Sequence, residues 1–377
     1  MKLVIISHTE HYKTEDGQIV GLGSTVTEIN HLLDVFDSIC HVAMLHDGPP
    51  SANSLPYLSD KVQFVPIPVV GGSTLFDKLN IVWNAPRILH TVRKALNHAD
   101  YFQFRAPTGI GVFVIPYLVW FHSAKGWFKY AGNWKQHHPP LAYAFQRWLL
   151  KRQRRNPVTI NGSWPDQLPY CLTFENPCLS NSEAQKGKMI RDNKSFNNSL
   201  IDFCFVGRLE EAKGMGLLIR AISHLKPEEK ALINCIHIVG QGKDSETYIN
   251  MAKSAGVTFN FHGFLSRAAV QEVYFKSHAI ILASASEGFP KVIAEAMNFG
   301  CLPLVSNVSS IGHYIKDGVN GFLLKAISEA GLIDTLRALF KLSDADYKAM
   351  VRSNDSLLER FTYDYYNDRI KKEIIRL

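Results

Sequence analysis

Short apolar runs rich in β-branched residues alternate with longer stripes at helical spacing along the whole chain, and this alternation limits the possible folds more than any other feature. The runs Leu3–Ser7, Ile39–Leu45, Val62–Ile67, Tyr101–Phe104, Phe203–Val206, Ile236–Val239, Ala279–Leu282 and Leu302–Val305 read as strands. Between two of them, Met215, Leu218, Ile219, Ile222 and Leu225 fall on one face of a 3.6-residue period. Strands that alternate with helices build parallel sheets covered on both faces, with ligands at the carboxyl ends of the strands. At roughly 150 residues per domain, 377 residues suggest two or three domains. The polar stretch 185–200 (QKGKMIRDNKSFNNSL) reads as a linker, and a fresh strand–loop–helix unit follows it. The expectation is an α/β chain of two doubly wound, Rossmann-like domains facing across a cleft. The first spans 1–190 and the second 191–360, and a closing helix over 361–377 packs back toward the first.

Composition removes several alternatives. Hydrophobic residues make up 46% of the chain and charged residues 20%, an ordinary globular balance that excludes disordered and coiled-coil classes. The longest apolar run, Val112 to Phe121, contains Pro116 and is too short to span a bilayer. The first apolar run, Leu3 to Ile6, is too short for a secretory leader, so a cytoplasmic or inner-face location is expected. Six scattered cysteines without a C-x-x-C pair read as buried thiols rather than disulfides or zinc ligands. Net charge is +7, and its placement matters: residues 101–165 hold nine Lys/Arg and no Asp or Glu. Such a local field attracts phosphates or acidic lipid.

Two segments carry most of the chemistry. In SEGFPKVIAEAMNFG, Ser286 to Gly300, Pro290 suits a first helical turn and Gly300 a helix end. Glu287 then lies in the loop above a strand end, and Glu295 lies inside the helix. The free amides of Gly288, Phe289, Pro290's neighbour Lys291 and Val292 form the positive end of a helix dipole. Carboxylates on both sides of an anion site suit a ligand with phosphates in the middle and hydroxyls at both ends, as in a nucleotide sugar. The second segment, FVGRLEEAKGMGLLIRAI, puts Arg208 and Lys213 between a strand end and a helix start. Two cations there would hold a diphosphate, one as a fork and the other as a point charge.

GRLEEAKG, IVGQGKD, FHGF, EGFPKVIAEAMNFG and DGVNGFLL occur in an order and spacing that resembles family-4 retaining glycosyltransferases of the GT-B fold, densely from about Ile201 to Leu324 and weakly before that. The resemblance implies that Arg208 and Lys213 bind the donor diphosphate and stabilise the leaving group, and that Glu287 contacts the donor sugar. It implies that Glu295 binds the ribose hydroxyls and that Gly288, Phe289, Pro290, Lys291 and Val292 meet sugar and phosphate through their backbone. It also implies no metal and no cofactor beyond the nucleotide diphosphate sugar. Preorganised donors of this kind contribute about 3 kcal/mol each in the transition state.

The N-terminal half departs from the commoner pattern. Many members carry a His-Asp pair after a mid-domain strand, whereas the comparable stretch here is WFKYAGNW, Trp127 to Trp134. Gly21 and Gly23 resemble the family's glycine loop near the donor phosphates, where glycine permits close backbone approach. His8 and Arg105 follow strand ends, and with Lys129, Asn133 and Trp134 they are candidates for the acceptor side. Aromatic and aliphatic residues interleave with cations over 101–165, a pattern that fits peripheral contact with a membrane better than a nucleic-acid groove. A lipid-linked or polysaccharide acceptor is therefore expected, with no nucleic-acid partner. Asp344 and Asp346 imitate a metal-binding DxD, but after Ser343 they read as a helix cap with acids in its first turn. An inactive nucleotide-sugar-binding partner of a glycan-assembly complex and a nucleotide-sugar epimerase on the same fold are the alternatives.

Overall fold

A computed structural model describes residues 1–72 and 74–376; Leu377, the last residue of the expected closing helix, lies outside the described residues. The chain divides into two compact units, Met1–Glu175 together with Tyr365–Leu377, and Asn176–Asp364. The division falls at 175/176 rather than 190/191.

In the first unit the strands are β1 (Lys2–Lys13), β2 (Ile19–Leu22), β3 (Ser38–His46), β4 (Ser54–Pro56), β5 (Val62–Ile67), β6 (Tyr101–Ala106), β7 (Lys125–Tyr130), β8 (Val158–Ile160) and β9 (Cys171–Thr173). The parallel order is β5-β3-β1-β6-β7-β8-β9, and β2 and β4 add an antiparallel flap along the far end of β1. Leu3, Val4, Ile5 and Ile6 are all fully buried, as a central strand covered on both faces requires. Helices α1 (Gly23–Leu32), α2 (Leu75–Leu96), α3 (Gly111–Trp120) and α4 (Leu141–Leu150) connect the strands. The apolar run beginning at Val112 is divided: Val114, Ile115 and Leu118 enter the core, whereas Trp120 and Phe121 are exposed. From Tyr365 onward the tail belongs to this unit, and Ile370, Ile374 and Ile375 pack with Leu3, Ile29 and Phe174.

The second unit opens on α5 (Asn181–Asn193), which occupies most of the expected linker. The sequence hid this helix because it docks through polar groups rather than an apolar stripe. Ser180 and Glu183 form a capping box at its start, and buried Arg191 donates to the Asn298 carbonyl at 2.7 Å and to Asp355 at 2.9 Å. Next come β10 (Ile201–Val206), α6 (Met215–Ser223), α7 (Pro227–Lys230), β11 (Ile233–Val239), α8 (Ser245–Ala252), β12 (Phe259–Gly263), α9 (Arg267–Lys276), β13 (Ala279–Leu282), α10 (Lys291–Asn298), β14 (Leu302–Ser306), α11 (Ile311–Tyr314) and β15 (Phe322–Leu324). The all-parallel order β12-β11-β10-β13-β14-β15 reverses direction between β10 and β13. Its core is built from zero-exposure residues such as Phe203, Phe205, Leu218, Ile293 and Leu304.

Each unit contains a histidine whose desolvation weakens the fold in acid, buried His11 in the first and half-buried His278 in the second. Burial pushes His11 and His278 down from an ordinary 6.5 to about 4. Below pH 6.5 the unfolded chain therefore binds protons that the folded chain refuses, so stability is complete above that pH and is lost as pH falls toward 4. At 1.36 kcal/mol per pH unit, each histidine removes about 3 kcal/mol across the window. Chemical denaturation between pH 7 and pH 4 should show this loss, and removing it from the second unit with His278→Gln should flatten the curve; an unchanged slope in that variant would refute the assignment.

Candidate active site

The reversal between β10 and β13 places two loops side by side at the carboxyl ends of these strands, the position where doubly wound sheets bind ligands. One loop runs from Gly207 to Gly214 and the other from Ala283 to Pro290. The Ala285 amide donates to the Ala212 carbonyl at 2.9 Å and ties them together. Gly214 has φ +82°, and a Cβ there would lie 2.5 Å from the Ala283 carbonyl oxygen, so only glycine lets the loops approach this closely. A 3₁₀ turn over Glu211–Lys213 precedes the glycine, and α6 begins two residues beyond Lys213, slightly later than the sequence suggests.

This approach joins two of the expected residues. Lys213 Nζ donates to Glu287 Oε1 at 2.5 Å, and the Glu287 side chain is only 10% exposed. Arg208 stands at the mouth of the same loop pair, 75% exposed, with Glu210 at 3.2 Å. After Glu287 the chain turns into α10, which starts at Lys291 with no side-chain cap on its free amides. Phe289 anchors this turn beneath Tyr314 and Phe361, with ring centroids 4.7 and 4.9 Å away, and Ser310 donates to the Gly288 carbonyl at 2.9 Å. The arrangement offers a cation, a carboxylate and an uncapped helix start within one loop pair, enough to grip a ligand bearing both phosphate and hydroxyls.

Glu295 lies further along α10, where Arg267 donates to it at 3.2 Å and the Tyr274 hydroxyl at 3.4 Å. Arg267 also binds Glu183 through Nε at 2.5 Å and donates to the Cys178 carbonyl. Burial alone would raise the Glu183 carboxyl, but the bonds from Arg267 and from the Ser180 amide and hydroxyl together outweigh it and hold it below the usual range. Arg267 escaped the sequence reading because it is 28 residues from Glu295 and belongs to no motif; its one local signal is the position after the N-cap Ser266. It fixes the place of the Glu295 carboxylate. On the expectation that Glu295 binds a ribose, Arg267→Ala should raise KM for a nucleotide substrate about tenfold with kcat little changed, the loss of one charge-assisted hydrogen bond. An equal fall in kcat would contradict a positioning role in ground-state binding.

The N-terminal candidates are held mainly by the protein itself. Arg105 donates to Glu28 at 3.0 Å and to Gln103 at 2.9 Å, and Lys129 donates to the same Glu28 at 2.5 Å. Lys129 is buried and lies 4.8 Å from the Tyr366 ring centroid. It is therefore part of an ion cluster rather than a surface, and this corrects its assignment as a lining residue. Trp134 is likewise corrected, being 3% exposed and edge-on to Tyr130 within the core. Asn133 accepts from the Lys135 amide at 3.0 Å and caps its own turn. His8 binds the Val70 carbonyl at 2.7 Å, and burial lowers its pKa. Gly21 lies in β2 with the His11 ring where a side chain would be, and Gly23 opens α1 with its amide on the Asn53 carbonyl at 2.9 Å. Both glycines thus have close approaches inside the protein. Asp344 and Asp346 sit in the first turn of a helix capped by Ser343, and among the described residues no group of three or more His, Cys, Asp or Glu could hold a metal.

Known proteins match this architecture. HepE from Anabaena in complex with UDP aligns over 100% of both chains with a TM-score of 0.68 and 15% sequence identity. A trehalose-phosphate synthase from Burkholderia xenovorans aligns over 100% of both chains with a TM-score of 0.70 and 11% identity. The fold is that of the GT-B glycosyltransferases. Residues 188–354 match the family glycosyl transferases group 1, a range that includes Arg208, Lys213, Glu287 and Glu295. Among curated relatives, a Campylobacter jejuni enzyme named GalNAc-alpha-(1->4)-GalNAc-alpha-(1->3)-diNAcBac-PP-undecaprenol alpha-1,4-N-acetyl-D-galactosaminyltransferase is 26% identical over 203 residues, 54% of this chain and 52% of that one. A D-inositol 3-phosphate glycosyltransferase from Corynebacterium aurimucosum is 30% identical over 142 residues, 36% of this chain and 34% of that one. The chain thus matches about half of the first relative's length and about a third of the second's.

Proposed function

We propose that the protein is a retaining glycosyltransferase that moves a hexose-type sugar from a nucleotide diphosphate sugar to a lipid-linked or polysaccharide acceptor without a metal. The observation that carries this reading is the Lys213–Glu287 pair at the β10/β13 reversal, beside the uncapped start of α10. When the donor enters, its sugar hydroxyls take Glu287 and its diphosphate takes Lys213, so the ion pair is exchanged for two ligand contacts. Arg208 swings from Glu210 onto the same diphosphate, and the α10 amides face the oxygens on which charge develops as the glycosidic bond breaks. The leaving phosphate accepts the acceptor's proton on the face it departs from, so retention needs no protein base. Glu295, aligned by Arg267 and Tyr274, accepts from the ribose hydroxyls.

The acceptor class rests on the N-terminal unit and on the undecaprenol-linked substrate in the Campylobacter relative's name. Trp120, Phe121, Leu141 and Trp148 are exposed within the basic region 101–165, and Phe76, Leu79, Val82 and Trp83 are exposed on α2, a face that sequence reading missed. Among the described residues no helix is long and apolar enough to cross a membrane. Peripheral contact with the inner face of the cytoplasmic membrane follows from these surfaces as part of the proposal. The test is incubation with UDP-, GDP-, ADP- and dTDP-sugars in EDTA, with acceptor-bearing membrane extract, followed by mass spectrometry of released nucleotide. Release from one donor, lost in Glu287→Gln, is expected; release that depends on added divalent metal would contradict the mechanism.

A further inference from the structure

The first unit carries a second cationic feature, away from the carboxyl ends of its strands. Pro157 precedes β8, and Pro169 and Tyr170 precede β9, so the recess they border lies at the amino ends of these strands. Its volume is about 750 Å³. Arg154, Arg155, Lys372 and Arg376 line it, so two segments more than two hundred residues apart in sequence supply its cations. Among the described residues Glu373 is the one acid in the lining, and Arg369 already neutralises it through Nε at 2.6 Å and Nη2 at 2.9 Å. Arg155 is fixed in place by donating to the His122 and Ser123 carbonyls. Arg154, Lys372 and Arg376 remain exposed. Tyr170 is fastened through its hydroxyl to the Lys151 carbonyl, so its ring forms an apolar wall with the two prolines and Leu172.

A cluster of cations against an apolar wall suits an oxyanion attached to carbon, with arginine forks for the oxygens. The surroundings select the source. In strand–helix–strand units the helices run back toward the amino ends of the strands, so the last turns of α3 and α4 share the side of the sheet that holds the recess. Those turns present Trp120 (59% exposed), Phe121 (78%) and Trp148 (46%), and the Arg152 guanidinium stacks 4.6 Å over the Trp148 ring. Exposed aromatics beside lysine and arginine are the composition of a membrane–water interface, and a soluble phosphate would have no use for them.

We propose that this recess binds the phosphate of an anionic phospholipid headgroup, with Trp120, Phe121 and Trp148 entering the interface around it. The proposal rests on the peripheral-membrane reading above and gives it a site; it does not depend on the transferase chemistry. The full chain is sedimented with phosphatidylcholine vesicles with and without phosphatidylglycerol, beside the triple variant Arg154→Ala/Lys372→Ala/Arg376→Ala and the double variant Trp120→Ser/Phe121→Ser. Binding only to the phosphatidylglycerol vesicles, weakened about a hundredfold in the triple variant, is expected. Nucleotide binding by calorimetry, unchanged in the triple variant, reports that it is folded. Wild-type binding retained in the triple variant overturns the recess while leaving membrane contact standing. No vesicle binding by the wild type overturns both. Calorimetric binding of inorganic phosphate, lost in the triple variant and unaccompanied by vesicle binding, overturns the lipid source.

Discussion

Lys213→Ala is expected to slow nucleotide release from the donor sugar about 10²–10³-fold and to weaken donor binding by a smaller factor. The lysine is held in the 3₁₀ turn before α6 by the Gly214 approach to Ala283, and its ammonium already occupies the loop pair. It therefore needs no reorganisation when charge builds on the departing diphosphate, the condition under which one donor is worth several kcal/mol. In the resting site its charge is matched by Glu287 at 2.5 Å. Alanine leaves Glu287 facing an incoming diphosphate without a cation between them, so repulsion adds to lost attraction. Pre-steady-state rates with the donor identified by the panel check this. A variant that bound donor more weakly yet turned it over at the wild-type rate would show that Lys213 binds the ground state and transition state equally.

Glu28→Ala should destabilise the N-terminal unit by about 3–5 kcal/mol, the usual result of removing one partner from a buried ion cluster. Glu28 is 3% exposed and is shared by Lys129 at 2.5 Å and Arg105 at 3.0 Å, whose side chains are 7% and 14% exposed. Both cations lose the carboxylate they share, and desolvation makes that loss far larger than at the surface. The three residues come from α1, β6 and β7, so the cluster also registers a helix against two adjacent strands. Denaturant unfolding followed by tryptophan fluorescence measures the change, since Trp127 and Trp134 lie in the same unit and are buried. A shift under about 1 kcal/mol would show that the site behaves as a solvated surface pair.

The second unit was more legible in the sequence than the first, and the reason is physical. Its strands β10, β13 and β14 are short, mostly apolar runs, and its site residues belong to turns whose backbone demands particular residues: Gly214 for the close approach, Pro290 at the helix entry and Gly300 at φ +82° after α10. Local chemistry of this kind is visible in one dimension. Contacts such as Arg267 with Glu295, or Glu28 with Lys129 at a separation of 101 residues, are made by the fold and leave no periodicity. Arg105 and Lys129 looked free because the acid that holds them lies outside the acid-free segment in which they were read. The polar stretch from Gln185 read as a linker because α5 buries only Gly187 and Arg191, and its docking energy comes from hydrogen bonds to Asn298 and Asp355. The exposed face of α2 is the converse case, since Phe76, Leu79 and Trp83 have helical spacing and would ordinarily be assigned to a core.

The central claim is that a nucleotide diphosphate sugar binds at the β10/β13 reversal, where Lys213 meets Glu287. Titration calorimetry of UDP, GDP, ADP and dTDP into the full chain in EDTA tests it most directly, with Lys213→Ala beside the wild type. The account predicts binding of one of these nucleotides, independent of divalent metal and weakened in the variant. Binding to none of them, or binding undiminished by the loss of Lys213, would contradict it.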